Sequence, residues 1–211
     1  MTNYPLFSVW TQNVREELMS QVDEILDFWF EKKGEEDYGK NRTIWFTKTP
    51  EPEFDREIQV RFREDYKKAA SGERDQWKET PQSCLALILL LDQFPRNMFR
   101  GNPRAFATDL QALCLAQYAI TKGFDRELLK IQRWFIYLPF EHSENLDHQR
   151  QAVELFRQLG NDPDSAYMTS SAVRHLEIVE RFGRFPHRNA ILGRATTPEE
   201  AEFLKQPNSS F

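Results

Sequence analysis

The chain has 211 residues, of which 40% are apolar, so it is long enough to bury one substantial core. Its formal charge of −5 argues against a dominant nucleic-acid-binding surface, which normally shows a basic excess. No secretory signal is visible, and the longest apolar run, residues 84–91, is too short to span a bilayer. We therefore expect one cytoplasmic domain, residues 1–211, with neither nucleic acid nor a membrane as a partner.

Apolar residues recur at helical spacing in two early segments and predict the first helices. The two stripes consist of Val22, Ile25, Leu26, Trp29 and Phe30, and of Phe54, Ile58, Phe62, Tyr66 and Ala69. Residues 34–52 form the long irregular stretch between them, and we expect Trp45 and Phe46 to hold it against the core.

The next helix is predicted to begin at Thr80 and Pro81, an N-cap followed by a first-turn proline. Its residues 84–91 are apolar all round, which is typical of a central buried helix. Cys84 and Cys114 have no CxxC spacing and no metal-ligand pattern nearby, so we interpret both as small buried apolar residues.

Start and stop signals continue along the rest of the chain and predict five further helical segments. These segments run from Asn102-Pro103 to Gly123, from Asp125 to Pro139, from Ser143 to Gly160, from Pro163 to Gly183, and onwards from a capping box at Thr197. The sequence therefore predicts an all-α, single-domain bundle of about eight antiparallel helices, with residues 206–211 as a frayed tail.

Two separate stretches share an aromatic residue, a proline and several hydrogen-bond donors: residues 92–97 (DQFPRN) and 183–189 (GRFPHRN). We expect Phe94 and Phe185 to anchor these polar loops in the core. From Arg96 onwards the chain has twelve Arg and only three Lys. This preference favours bidentate recognition of an anion, because guanidinium presents a rigid donor fork; the alternative is that the arginines brace the loops.

A third polar segment, residues 137–144, contains His142 between Glu141 and Glu144, and we expect it at a helix N-terminus. A neighbouring carboxylate would make His142 a general acid or base; the alternative is a structural cap. His187 lies beside Arg188, so a neutral imidazole is expected there. His175 lies on an apolar helix face and is interpreted as a hydrogen-bonded core histidine.

The candidate site residues follow from these three segments. The catalytic candidates are His142, Glu144 and Asp92. The ligand-binding candidates are Arg96, Asn97, Arg100, Arg184, His187, Arg188, Asn189 and Arg194.

The sequence contains no Walker loop, GxGxxG, HExxH or GxSxG motif, so we expect no cofactor and no metal. A zinc or iron site built from Glu144, His142 and His187 is a weak alternative.

Three longer motifs together resemble the bacterial family catalogued as domain of unknown function 924. They are LALILLLDQFPRNMFRGNPRAFATD, YLPFEHSENLDHQ and RFGRFPHRNAILGRATTPEEAEFL, and the resemblance extends from about Ile25 to Leu204. It implies an all-helical fold similar to tetratricopeptide-repeat (TPR) proteins and no established activity. The family motif carries over onto Asp92, Gln93, Arg96, Asn97, Arg100, His142, Ser143, Glu144, Arg184, His187, Arg188, Asn189 and Arg194, but not onto His148.

Three functional hypotheses remain open. The first is a pocket for a small anionic molecule, lined by Arg, His and Asn side chains. The second is an acid/base hydrolase that uses His142 with Glu144 or Asp92. The third is a TPR-like scaffold that binds a protein partner.

Overall fold

The computed structural model of the protein describes residues 6–47 and 51–210, apart from the side chains of residues 6–15. These ranges contain helices, turns and loops but no β-strand. The α-helices are α1 (Leu6–Phe30), α2 (Pro52–Ala70), α3 (Pro81–Ile88), α4 (Phe94–Met98), α5 (Asp109–Lys122), α6 (Lys130–Glu141), α7 (Leu146–Arg157), α8 (Pro163–Phe182) and α9 (Pro198–Leu204). A π-helical turn, Leu89–Gln93, joins α3 to α4 without a break. With that run taken as one helix, the described part holds eight, which confirms the all-α, single-domain prediction.

The run from α3 into the π turn lies at the centre of the molecule. Residues 84–91 are all buried, as predicted, and the side chain of Thr80 caps α3 by accepting the Ser83 N–H. Helices α1, α5 and α6 pack against α3, while α2 packs against the π turn and α4. None of the helices in the described part of the chain is long and apolar enough to cross a membrane.

The apolar stripes of α1 and α2 face this core. Every residue predicted for the stripes is buried except Leu26, which is partly buried against the core. Trp45 stacks on Trp29 with ring centroids 6.0 Å apart and lies 5.0 Å from Phe135, which confirms that it holds the irregular stretch against the core. Residues 48–50 of that stretch lie outside the described residues.

Two predicted helix boundaries around α5 and α6 were wrong. A 3₁₀ turn, Pro103–Phe106, comes before α5, which begins only at Asp109, although Gly123 ends α5 as expected with φ +75°. Asp125 lies in a second 3₁₀ turn, and α6 begins at Lys130. In both places the chain makes a separate tight turn before the longer helix begins.

Pro139 does not end α6, contrary to the prediction. A proline removes one backbone donor, and helical hydrogen bonding resumes beyond it, where the His142 N–H donates to the Leu138 carbonyl at 2.9 Å. His142 is therefore the C-cap of α6, not part of a helix N-terminus. Asn145, not Ser143, caps α7 by accepting the N–H groups of Asp147 and His148.

Cys114 is exposed, contrary to the prediction, because α5 buries Leu113 and Leu115 on either side of it and turns Cys114 to solvent. Cys84 is buried as expected, and burial raises the pKa of its thiol to about 12.

The last two helices match their predicted signals. Helix α8 begins at Pro163 and ends before Gly183, which has φ +67°. Thr197 and Glu200 form the expected capping box of α9. Beyond α9 the Ser209 hydroxyl donates to the Leu204 carbonyl at 3.1 Å, while the frayed tail at 206–211 stays a prediction.

Candidate functional site

The three polar segments meet around one cavity of about 410 Å³, a size in the range of small-molecule sites. Its walls come from residues 44–47, the end of α4, the last turn of α6, one face of α8, and the 183–194 loop. The polar side chains in the wall include those of Arg96, Glu141, His142, His175, His187 and Arg188. Sequence motifs far apart in the chain thus form one site.

Asp92 and His142 form a buried hydrogen-bonded pair. Asp92 is fully buried in the π turn, and its Oδ1 lies 2.8 Å from the His142 Nδ1 at the end of α6. The Gln93 side chain donates to the second oxygen, Oδ2, at 2.6 Å. Asp92 thus lies behind His142, and His142 lines the cavity.

The protonation states of this pair follow from its surroundings. Burial alone would raise the pKa of Asp92, but His142 and Arg96 outweigh it and hold that pKa below its ordinary value. Burial and the charge of Arg96 lower the pKa of His142, against the opposing effect of Asp92. At neutral pH Asp92 is therefore ionised and His142 is neutral. An ionised carboxylate can only accept, so the proton is on Nδ1, and Nε2 is the basic nitrogen.

Arg96 and Arg188 share one carboxylate, Asp109 at the start of α5, but unequally. Arg96 binds both oxygens of Asp109, at 2.9 and 3.2 Å, and also donates to the Asp92 carbonyl at 2.7 Å. Arg188 reaches Asp109 through one long contact of 3.4 Å. Burial would lower the pKa of Arg96, but Asp109 and Asp92 outweigh it and raise that pKa.

Arg188 has much weaker compensation for its charge. It is buried between two aromatic rings, with its guanidinium carbon 4.7 Å from the centroids of both Phe106 and Phe185. Its Nε finds no hydrogen-bond partner among the residues that the structure describes. Burial and the nearby Arg96 lower the pKa of Arg188 to about 10, so it is still protonated at neutral pH. Arg188 is a buried cation with only part of its donor capacity used.

A second carboxylate–histidine pair lies on the α8 side of the cavity. The Glu141 Oε1 lies 2.9 Å from the His175 Nδ1 and accepts from the Ser171 hydroxyl at 2.8 Å. His175 is buried and also lies 2.9 Å from the Ser171 carbonyl, which agrees with its interpretation as a hydrogen-bonded core histidine. Two acceptors face Nδ1, so that nitrogen carries a proton.

His187 completes the polar wall beside Arg188. Burial, followed by the charge of Arg188, lowers its pKa to about 3. The imidazole is therefore neutral across the physiological range, in agreement with the expectation from the sequence.

Four candidates do not line the cavity, but hold the 183–194 loop in place. Glu144 accepts two hydrogen bonds from Arg194, at 2.7 and 3.0 Å, and one from the Phe185 N–H. Arg184 binds both oxygens of Glu200 at 2.6 and 2.9 Å. For Arg184 and Arg194 these contacts support the alternative interpretation, in which the arginines brace the loops instead of binding an anion. Asn189 has the same role, because it donates to Glu200 and accepts from Arg194.

Asn97 and Arg100 line the cavity but share Asp55 of α2 as a partner. Asn97 donates to Asp55 at 2.7 Å, and Arg100 binds both of its oxygens at 2.8 Å. Both side chains are therefore engaged within the protein. Of the two carboxylates considered as partners of His142, the structure places Asp92 there, since Glu144 is bound by Arg194.

Sequence reasoning missed two charged groups of the site, Glu141 and Asp109. Glu141 was considered only as a carboxylate neighbour of His142, whereas its partners in the structure come from α8, a later part of the chain. Asp109 had no assigned role within the segment predicted to be helical from Asn102, and the structure places it in the first turn of α5. No local sequence signal pointed to either contact. The described residues contain no cluster of three or more side chains suited to hold a metal ion.

Comparisons with known proteins place the chain among uncharacterised bacterial relatives. The model of DUF924, a bacterial protein family of unknown function, matches residues 25–208. A solved structure of a protein of unknown function from Agrobacterium tumefaciens is 42% identical, with a TM-score of 0.77, over 89% of this chain and 98% of that one. No curated protein matches the chain.

Proposed function

We propose that this chain, which belongs to the bacterial DUF924 family, binds a small anionic molecule in the cavity beside Arg188. Family membership supplies no activity, so the proposal depends on the site itself. The observation that carries it is the contrast between Arg188 and Arg96. Asp109 and Asp92 compensate Arg96, whereas Arg188 is buried with one long ion pair and an unused Nε donor. An unsatisfied buried donor is costly, and an anion would satisfy it.

The arrangement around Arg188 also suits recognition by geometry. Phe106 and Phe185 flank its guanidinium plane, which restricts its orientation. A carboxylate or phosphate could then meet the donor fork without a large loss of side-chain entropy on binding.

Replacing Arg188 with Lys tests the proposal, because Lys keeps the charge but cannot reproduce the donor fork. Phosphate, sulfate or acetate should raise the melting temperature of the wild type, and raise it less in Arg188→Lys. A ligand that binds only the folded state adds about 2.7 kcal/mol at a hundredfold excess over its dissociation constant. Differential scanning calorimetry with chloride at matched ionic strength measures this shift.

The matched control is Arg157→Lys, which changes an exposed arginine of α7 that pairs only with Glu154 in the described structure. It should respond to every anion as the wild type does. Equal responses of the wild type and Arg188→Lys, with Arg188→Lys itself strongly destabilised, would make Arg188 a structural brace. The scaffold hypothesis would then replace the pocket.

The Asp92–His142 pair favours acid/base catalysis as a second candidate function. Asp92 fixes the Nδ1-protonated form of His142, which leaves Nε2 as a base on a residue that lines the cavity. Arg188 would then stabilise negative charge that develops on the substrate. This combination is typical of hydrolytic sites, and it modifies the earlier hypothesis by selecting Asp92 over Glu144.

If this second function holds, His142→Ala should remove an activity found in a phosphatase, esterase or amidase screen, by about a hundredfold or more. Its melting temperature should fall, because the fully buried Asp92 loses its hydrogen bond to the His142 ring, so turnover is compared at a temperature at which both proteins are folded. His148→Ala, which changes a histidine outside the cavity, is the control. Unchanged turnover in His142→Ala would exclude His142 as the base.

A further inference from the structure

Glu141 is a second buried group in the cavity whose hydrogen-bonding capacity is only half used. Its side chain is 2% exposed and its Oε1 is bound by His175 and Ser171. Its Oε2 finds no partner within the described part of the chain. A buried carboxylate oxygen without a hydrogen-bond donor costs free energy, and a ligand that donates a hydrogen bond to this oxygen would remove that cost.

Glu141 is also ionised. Burial would raise its pKa, but His175 outweighs that effect and lowers it. The unused acceptor is therefore part of a carboxylate, which binds an ammonium group more strongly than a neutral donor because the hydrogen bond is charge-assisted.

The balance of charge around the cavity also favours a ligand with a cationic group. Three arginines that line the cavity contribute positive charge: Arg96, Arg100 and Arg188. Four carboxylates contribute negative charge, namely Glu141, which lines the cavity, and Asp55, Asp92 and Asp109, which bind lining residues. Counted over these seven groups alone, the site carries a small negative excess, which a purely anionic ligand would increase. A ligand that also carries a cationic group would not increase it.

We propose that the cavity recognises a small zwitterion, with its anionic group at Arg188 and its ammonium group at the free oxygen of Glu141. This inference rests on the proposed function and adds to the anionic ligand a second charged group, an ammonium. Leu138, Met168 and Ile191 also line the cavity and suit an aliphatic portion of the ligand. The anionic group can be a carboxylate, as in an amino acid, or a phosphate, as in an amino-alcohol phosphate.

Matched sets of probes test this proposal in the wild-type protein by isothermal titration calorimetry. One set is leucine, 4-methylpentanoate and 3-methylbutylamine; the other is O-phosphoethanolamine, ethyl phosphate and ethanolamine. In at least one set the zwitterion should bind about tenfold or more tightly than either of its halves, because it adds a charge-assisted hydrogen bond. The set in which this preference occurs identifies the anionic group.

Glu141→Gln should abolish the preference for the zwitterion while leaving the affinity of the matched acid within about threefold of the wild type. Glu154→Gln, an exposed position on α7, should behave as the wild type. If Glu141→Gln does not fold, the comparison of probes in the wild type decides alone.

The outcomes separate this inference from the function on which it rests. Acids that bind in a manner dependent on Arg188, with no gain from an ammonium group in either set, would overturn the zwitterion proposal and leave the anion site standing. Absence of binding by every acid and zwitterion would overturn both.

Discussion

Arg96 and Arg188 show that the surroundings, not the residue type, decide what a buried arginine can do. Asp109 binds Arg96 through both oxygens and Arg188 through one long contact. As a result the pKa of Arg96 is raised while that of Arg188 is lowered to about 10. Arg96 is therefore engaged within the protein, and Arg188 is the arginine that we propose binds a ligand.

We expect His187 to make the folded protein sensitive to acid. Its pKa is about 3 in the folded protein, against an ordinary value of 6.5, because burial and Arg188 disfavour the imidazolium form. The unfolded chain therefore binds this proton first as the pH falls below 6.5, and the folded state loses stability down to about pH 3. We expect His187→Gln to make the decline in melting temperature between pH 7 and pH 5 shallower.

Thermal unfolding followed by circular dichroism at several pH values measures this slope. Some slope should persist in His187→Gln, because the pKa of His142 is lowered as well. His148→Gln, which changes a histidine outside the cavity, is the control variant. An unchanged slope in His187→Gln would show that another group controls the acid sensitivity.

The last turn of α6 determines how the site is assembled. Since the helix continues past Pro139, Glu141 and His142 occupy its end and reach two different neighbours. Glu141 meets Ser171 and His175 of α8, and His142 meets Asp92. Asp92 lies in the π turn, and such irregular turns often occur at functional sites.

Helix α9 holds the 183–194 loop through Glu200. Its side chain accepts the Thr197 N–H of the capping box and also binds Arg184 and Asn189. These partners, Arg184 first among them, hold the pKa of Glu200 at about 2 even though burial opposes this. Glu200→Gln should lower the free energy of unfolding by about 2 kcal/mol, the range for a hydrogen bond to a charged group.

Urea denaturation of Glu200→Gln beside Glu199→Gln tests this role. Glu199 is the adjacent residue of α9, but it is exposed and pairs with Arg181 at the surface, so its replacement should cost little. Equal losses in the two variants would show that the buried network adds no more stability than a surface ion pair.

The sequence predicted those elements whose signals are local. The Thr80 and Thr197 caps, the glycine ends at Gly123 and Gly183, and the buried run at 84–91 depend on neighbouring residues and were all confirmed. The prediction that His142 lies at a helix N-terminus was wrong, because whether Pro139 ends the helix depends on the hydrogen bonds that form beyond it. The roles of Glu141 and Asp109 could not be predicted, because each depends on a partner from a distant part of the chain.

The molecule as a whole uses several of its ion pairs to brace the loops around the cavity, and other polar side chains line the cavity itself. 

Glu144 with Arg194 and Glu200 with Arg184 fix the 183–194 loop, and Arg100 with Asp55 ties the segment after α4 to α2. These ion pairs position His187 and Arg188 against the ends of α4 and α6. A partly enclosed cavity with apolar walls and a few charged side chains favours our proposal of a ligand site over an open scaffold surface.

The Nε–H of Arg188 offers the most direct test of the proposed anion site, because this donor has no partner in the described structure. Its NMR signal can be assigned from its loss in Arg188→Lys. Titration with 4-methylpentanoate, ethyl phosphate and their zwitterionic counterparts should shift the signal in a saturable manner, while chloride at the same ionic strength should not. A signal that responds identically to chloride and to every probe would contradict the claim that Arg188 binds an anion in this cavity.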